Sequence, residues 1–211
     1  MEPQTLEAFL DATDFAPGEG PFRIKGSAYT LHHRWVAEFL EGGLEAQQRR
    51  LGAWGDHPFF DEIYLASGMY DVLPLVALGY VCAELRQESL AAFVEMRARY
   101  QAEKDLQLFR KMMVKLASPT SVAKRFPSVL ASFFDFGEAT SEVREKGVSG
   151  RVSGVPQILA TWMIATCRGF TTHALKVNGA KGVSIDAEVE SSGLRQHGLP
   201  LCDLEFEFAW S

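Results

Sequence analysis

The chain has 211 residues, with 21 basic and 27 acidic side chains and a formal net charge of −6. At 47% hydrophobic and 23% charged residues it has the composition of a globular protein, which excludes a disordered, collagenous, coiled-coil or disulfide-scaffold chain. The acidic balance argues against nonspecific binding to nucleic acid or an anionic membrane.

The three cysteines, Cys82, Cys167 and Cys202, are odd in number, far apart, and form no Cys-x-x-Cys pair, which argues against a zinc ribbon or thioredoxin-type centre. The first 20 residues carry five acids and no lysine or arginine, so no secretory leader is expected. The most apolar window, 72–82, is interrupted by Pro74 and Gly79 and falls well short of the ~20 residues of a spanning helix. A cytoplasmic protein with reduced thiols is expected.

In chain order, the acidic stretch 1–20 reads as an appendage holding a short helix from Thr5 to Ala12, followed by a single domain over 21–211. Leu31, Trp35, Val36, Phe39 and Leu40 recur at helical spacing up to Gly42-Gly43, and a second short helix follows over 44–51. Asp71 is placed to cap a helix through Val72, Leu75, Val76 and Tyr80, with Pro74 in its first turn. The longest helical pattern spans 89–117, and Ser118-Pro119 then opens another that runs to Gly137 with a break near Pro127. Beyond it, 140–146 and 148–153 read as a weak hairpin around Gly147, and an apolar helix follows Pro156 and stops at Asn178-Gly179. Two strands with strict alternation finish the chain, over 183–190 and 202–210. The predicted class is α+β: a helical layer over about 21–137, then a small antiparallel sheet with a packed C-terminal helix over about 138–211.

Few motifs carry chemistry. The run Gly-Val-Ser-Gly-Arg-Val-Ser-Gly at 147–154 lies in a hairpin with no following lysine and reads as a turn, not a phosphate cradle, and no Gly-x-Ser-x-Gly elbow is present. His32 and His33 are adjacent on a helix, so they divide between an inward and an outward position instead of facing one metal. A Cys167/His197/Cys202 grouping is weighed against plain core and loop placement, and the latter is favoured. No catalytic residue and no metal site are expected. Met112, Met113, Phe133, Trp162 and Phe170 read as core side chains that can also line an apolar ligand pocket.

Charge is unevenly divided. Between Arg97 and Arg125 there are eight basic residues against Glu103 and Asp105. The outward positions of the last two strands are Asp186, Glu188, Glu190, Asp203, Glu205 and Glu207. Paired as a hairpin, these acids lie side by side. The face is either simply solvated or meets a basic partner surface, with Asp186, Glu188, Glu205 and Glu207 as its contact residues.

Several stretches carry a resemblance: Ile24-Lys25-Gly26 before a helix, Tyr70-Asp71-Val72-Leu73-Pro74-Leu75 opening another, and Ser118-Pro119 through Phe134 before Gly137. The helix after Val155-Pro156 and the lead Gly198-Leu199-Pro200-Leu201-Cys202 into a strand ending at Trp210 complete it. In these the chain resembles the superfamily of haem-nitric-oxide-binding domains, vinyl-reductase-type ligand-binding domains and Bet3-like trafficking subunits, and most nearly the uncharacterised paralogous proteins of myxobacteria. The resemblance implies a bacterial sensory or adaptor module, not an enzyme, that binds a small hydrophobic ligand in an interior pocket and signals to a protein partner. The alternative is a ligand-free interaction or dimerisation module using the acidic strand face and the basic 97–125 region. Haem-binding members carry a histidine in the helical region before the hairpin and a Tyr-x-Ser-x-Arg motif. Here 89–137 holds no histidine and that motif is absent, so no cofactor, haem included, is expected. Vinyl-reductase-type members often end with two cysteines, and Ser192 stands where the first would be.

Overall fold

The structure, a computed structural model, describes the backbone of residues 3–112 and 118–211 and the side chains of residues 3–104 and 118–211. The chain divides into two compact units, Met1–Phe93 and Val94–Ser211.

The first unit begins with α1 (Leu6–Asp11), capped by the Thr5 hydroxyl, which accepts the Ala8 N–H. Leu6 and Phe9 are buried, and the Phe9 ring sits 5.3 Å from that of Tyr80 on α4 (Val72–Leu85). Tyr80 donates its hydroxyl to Pro3 O at 2.8 Å, and Arg50 bridges Glu7 and Glu84 at 2.7 and 2.6 Å. The stretch expected as an appendage is therefore an integral part of this unit. Glu7 and Asp11 occupy the exposed side of a short helix whose apolar side is core, and counting charge alone hid that division.

A short antiparallel ribbon, β1 (Arg23–Lys25) with β2 (Met69–Asp71), frames α2 (Ser27–Phe39) and α3 (Gly43–Leu51). The corner between the two helices uses φ of 76° at Gly42 and 55° at Gly43, a backbone that side chains with a Cβ resist. Residues Val72 to Ala83 of α4 are all buried, which is why this segment shows apolar content without amphipathic period.

Asp71 organises the unit's entry. Its Oδ1 accepts the Leu73 N–H at 2.9 Å as the cap of α4, and its Oδ2 accepts the N–H of Gly20 at 2.8 Å and of Gly18 at 3.1 Å. Its backbone carbonyl accepts the Tyr29 hydroxyl at 2.5 Å. Burial pushes the Asp71 carboxyl up, while the backbone N–H groups and Arg23 pull against it.

In the second unit, α5 (Leu90–Met112) enters from the first, followed by α6 (Pro119–Ala123), capped by Ser118, and α7 (Phe126–Phe133). Four antiparallel strands, β3 (Glu138–Arg144), β4 (Gly147–Pro156), β5 (Ser184–Gln196) and β6 (Leu199–Ala209), pair in the spatial order β3-β4-β6-β5. Helix α8 (Ala160–Val177) packs on β5 and β6, where Cys202, Leu204, Phe206 and Phe208 point inward. Gly169 lets α8 approach α5 closely: a Cβ there would lie 2.2 Å from Glu95 O. This is the α+β arrangement that the sequence predicts.

The last two strands are longer than their alternation indicates. The pairing becomes irregular between Ser191 and Arg195, and β5 then resumes to Gln196. Ser191-Ser192-Gly193 breaks the sequence pattern, but the sheet absorbs it as a bulge. The connection is a two-residue turn, His197-Gly198, with φ of 49° and 81°, the conformation that matches hairpin twist.

Candidate functional site

The side of the sheet opposite α8 carries charge. Across it, Glu142 on β3, Ser149 on β4, Glu207 on β6 and Asp186 on β5 are direct cross-strand neighbours and form one row. The next row is Thr140, Arg151, Glu205 and Glu188, and beyond it Asp203 lies opposite Glu190. The first two rows line a concavity of about 510 Å³. The acids that the sequence places outward are thus on one face, in directly opposed like-charged pairs.

Arg151 relieves part of this repulsion. Its guanidinium bonds Glu205 and Asp203, each at 2.7 Å, and lies 3.7 Å from Glu190. Arg144 stands 3.8 Å from Glu207. Glu142, Asp186 and Glu188 have no ion-pair partner among the described residues. The Ser149 hydroxyl oxygen is buried without a hydrogen-bond partner. Glu142, Ser149 and Arg151 are members of the face that sequence reasoning missed, because strand order is a non-local fact. The Arg151 hydrogen bond, with that from Gly154 N–H at 3.0 Å, holds the Asp203 carboxyl below the ordinary carboxylate range.

A pH dependence follows from that lowered value. Asp203 contributes stability that is present above its unfolded pKa, near 4, and is lost as pH falls through the folded value. Arg151→Gln removes the larger part of this contribution, leaving the Gly154 N–H bond, so its loss of stability relative to the parent shrinks as pH falls below about 4. Urea titrations of both proteins between pH 3 and 7 check this, and a constant difference counts against it.

The apolar residues read as pocket-lining fall as follows. The Phe133 ring lies 6.1 Å from Phe170, edge to face, and Trp162 lies 6.1 Å from Phe134. At about 100° per residue, Trp162, Thr166, Phe170 and His173 occupy an arc of roughly 80° on α8. Trp162 is buried, while Phe133, Thr166, Phe170 and His173 are half-buried. Met112 and Met113 lie outside the residues whose side chains are described.

The basic stretch is less uniform a surface than its sequence indicates. Arg97 is only 6% exposed and donates to Gln101 at 2.7 Å, and Arg99 pairs with Glu95 one turn away. Lys124 and Arg125 are exposed, and the side chains of Arg110, Lys111 and Lys115 lie outside the described residues.

Helices α2, α3 and α4 bury a polar cluster with no sequence signature. The Gln47 amide nitrogen is 2.8 Å from His32 Nε2, 3.0 Å from Cys82 Sγ and 3.4 Å from Leu78 O. The amide nitrogen carries two N–H donors for these three acceptors, and the tautomer of His32 with its proton on Nδ1 leaves Nε2 able to accept one of them. His33 is half-buried beside Tyr64, and burial lowers its pKa. All three cysteines are buried and none forms a disulfide, and burial pushes the Cys167 thiol up to about 12. His197 is exposed at its turn, and among the described residues no three His, Cys, Asp or Glu side chains gather to hold a metal ion. No helix among them is long and apolar enough to cross a membrane.

The two-unit chain with this α+β order has the H-NOX fold. An H-NOX protein from S. oneidensis in the Fe(II)NO ligation state matches with a TM-score of 0.57 at 13% identity, over 88% of this chain and 99% of that one. An oxygen-binding H-NOX domain related to soluble guanylate cyclases, in its oxygen complex, matches with a TM-score of 0.60 at 10% identity, over 89% and 95%. A protein studied for modulation of haem redox potential through porphyrin distortion matches with a TM-score of 0.60 at 10% identity, over 88% and 99%. No protein-family model and no curated protein matches the sequence. The likeness is therefore one of fold.

These matches correct one expectation. The lack of a histidine in 89–137 and of Tyr-x-Ser-x-Arg predicts no haem, yet structures sharing this fold include NO-ligated iron and oxygen-bound forms. Absence of a motif at one helix does not speak for nitrogen donors elsewhere, and haem stands as a plausible cofactor.

Proposed function

We propose that the chain is a non-catalytic sensory module in which a small, largely apolar ligand seats against the aromatic face of α7 and α8 and its binding is passed to a protein partner. The observation that supports this reading is the edge-to-face contact of Phe133 with Phe170, with Trp162 on the same arc of α8, inside a fold shared with NO-ligated and oxygen-bound H-NOX proteins. Met112 and Met113 belong to the same proposal through their place in sequence. The reading keeps the likeness to bacterial paralogous proteins and a cytoplasmic setting.

Haem fits this face by donor chemistry. His173 is a half-buried imidazole within the Trp162–Phe170 arc, the nitrogen donor type that iron ligation requires. When bound, haem supplies an iron site for a small gas. The chain supplies the apolar wall that excludes water from it.

The test is reconstitution. Purified chain is titrated with hemin, protoporphyrin and a fatty-acid panel, followed by Soret absorbance and thermal unfolding. A ligand at 100 times its Kd stabilises by about 2.7 kcal/mol, which a melting curve resolves. Phe170→Ala weakens the response, and His173→Ala alters the Soret band but not the response to protoporphyrin. No shift with any member of the panel overturns the reading. It leaves the ligand-free interaction module, which the acidic sheet face independently favours.

A further inference from the structure

We propose that the outer face of the β3-β4-β6-β5 sheet is the docking surface for an extended, cationic segment of a partner protein. The segment is read by the row Glu142, Ser149, Glu207 and Asp186 together with Glu188. This names the chemistry of the partner in the signalling role above, and it does not depend on the identity of the ligand.

The face is built at a cost. Asp186 sits opposite Glu207 and Glu188 opposite Glu205, pairings that are destabilising when bare. Arg151 neutralises one end only, since Glu205, Asp203 and Glu190 converge on it. At the other end, Glu142 and Asp186 have no ionic partner among the described residues and Glu207 has only Arg144 at 3.8 Å, while Glu188, in the row of Arg151, is likewise without one. A row whose carboxylates outnumber their cations, with Arg144 alone beside Glu207, is the electrostatic complement of a basic ligand.

Two further observations, besides charge, shape the occupant. The face is concave, with about 510 Å³ between its rows, so it admits a chain lying in it and not merely a counter-ion on it. Its floor also holds the Ser149 hydroxyl oxygen, buried and without a partner, between Glu142 and Glu207 in the register. A donor from the occupant, a guanidinium or backbone N–H, satisfies it. Arg151 shows how the face holds a guanidinium: two carboxylates in hydrogen-bond contact and a third close by.

Spacing favours an extended occupant. Carboxylate rows recur every second residue along the strands, roughly 7 Å apart, the distance between alternate side chains of an extended chain. Basic residues at every second position therefore meet successive rows. The surface offers chiefly carboxylates and hydroxyls, so association is fast, salt-sensitive and modest in affinity.

The experiment follows the fluorescence anisotropy of a labelled Arg-Ser-Arg-Ser-Arg-Ser peptide titrated with the full chain at low and physiological salt. Saturable binding is expected, weakened about tenfold by Asp186→Asn with Glu188→Gln. Ser149→Ala weakens it about threefold, the worth of one hydrogen bond. Glu41→Gln with Glu45→Gln, which removes the same charge from exposed positions of the first unit, leaves it unchanged. Arg151→Gln, which releases Glu205, Asp203 and Glu190, tightens it. Equal losses in the two double variants, or equal affinity for Arg-Arg-Arg-Ser-Ser-Ser, reduce the binding to unspecific polycation attraction and overturn the proposal. A dimer of the chain that the peptide dissociates also overturns it, assigning the face to a second copy. Urea unfolding of each variant establishes that it is folded. Retained ligand uptake with lost peptide binding defeats this proposal alone, and the converse defeats only the ligand reading.

Discussion

Asp71→Ala lowers the stability of the chain by about 3–5 kcal/mol, the largest effect expected of any single polar substitution in the first unit. Three backbone N–H groups, from Gly18, Gly20 and Leu73, converge on this one carboxylate. Alanine leaves all three without an acceptor in a place where Asp71 itself is 0% exposed, so water does not simply replace it. Each stranded donor costs about 1–3 kcal/mol, partly recovered as the 18–20 segment relaxes. Asp71→Asn keeps one oxygen acceptor and costs about half as much. Because burial raises the carboxyl's pKa in the folded state, the parent binds that proton more tightly folded than unfolded. Stability from this group is greatest at low pH and declines as pH rises from near 4 through the raised value, then levels. Asp71→Asn loses that slope. Urea unfolding of the three proteins from pH 3 to 8 measures all of this, and a cost below about 1 kcal/mol for the alanine variant refutes the convergence argument.

The second large effect lies in the other unit. Gly169→Val costs about 3 kcal/mol or more, because its first side-chain carbon would sit 2.2 Å from Glu95 O and 2.9 Å from Ala98 Cβ. The Glu95 oxygen is backbone and cannot swing aside, so α8 and α5 must separate. Gly169→Ala carries the same Cβ and costs about 1–3 kcal/mol, even though alanine is the better helix former by about 1 kcal/mol. Circular dichroism during urea unfolding separates the outcomes. An alanine variant more stable than the parent shows that helix propensity outweighs the clash.

Much of the fold is legible because its instructions are local. Thr5, Asp71 and Ser118 each precede a helix with a side chain able to accept an N–H, and each does so. Gly42-Gly43 and Asn178-Gly179 end helices where the chain requires them. The alternation in β5 and β6 marks a two-faced strand pair without reference to the rest of the chain. Three residues each are too few to show a period, so β1 and β2 are invisible. The bulge after Ser191 conceals the outer half of β5.

The candidate site divides the same way. The six acids of the last two strands are readable from alternation, whereas Arg151, Ser149 and Glu142 join them only through the pairing of β4 with β6 and β3 with β4. Likewise, His32, Gln47 and Cys82 come from three helices, and no spacing links them. Phe133, Trp162 and Phe170 are legible as apolar, but a core and a ligand wall use the same side chains.

One thiol, that of Cys82, is sealed within the first unit and two, those of Cys167 and Cys202, within the second. An alkylating reagent reaches none of them until its surroundings breathe, and the Cys167 thiol, held protonated to about pH 12, stays inert until then. The native chain is thereby its own recorder of local opening. Peptide mapping of the order in which the three sites acquire label tells which half of the molecule loosens first.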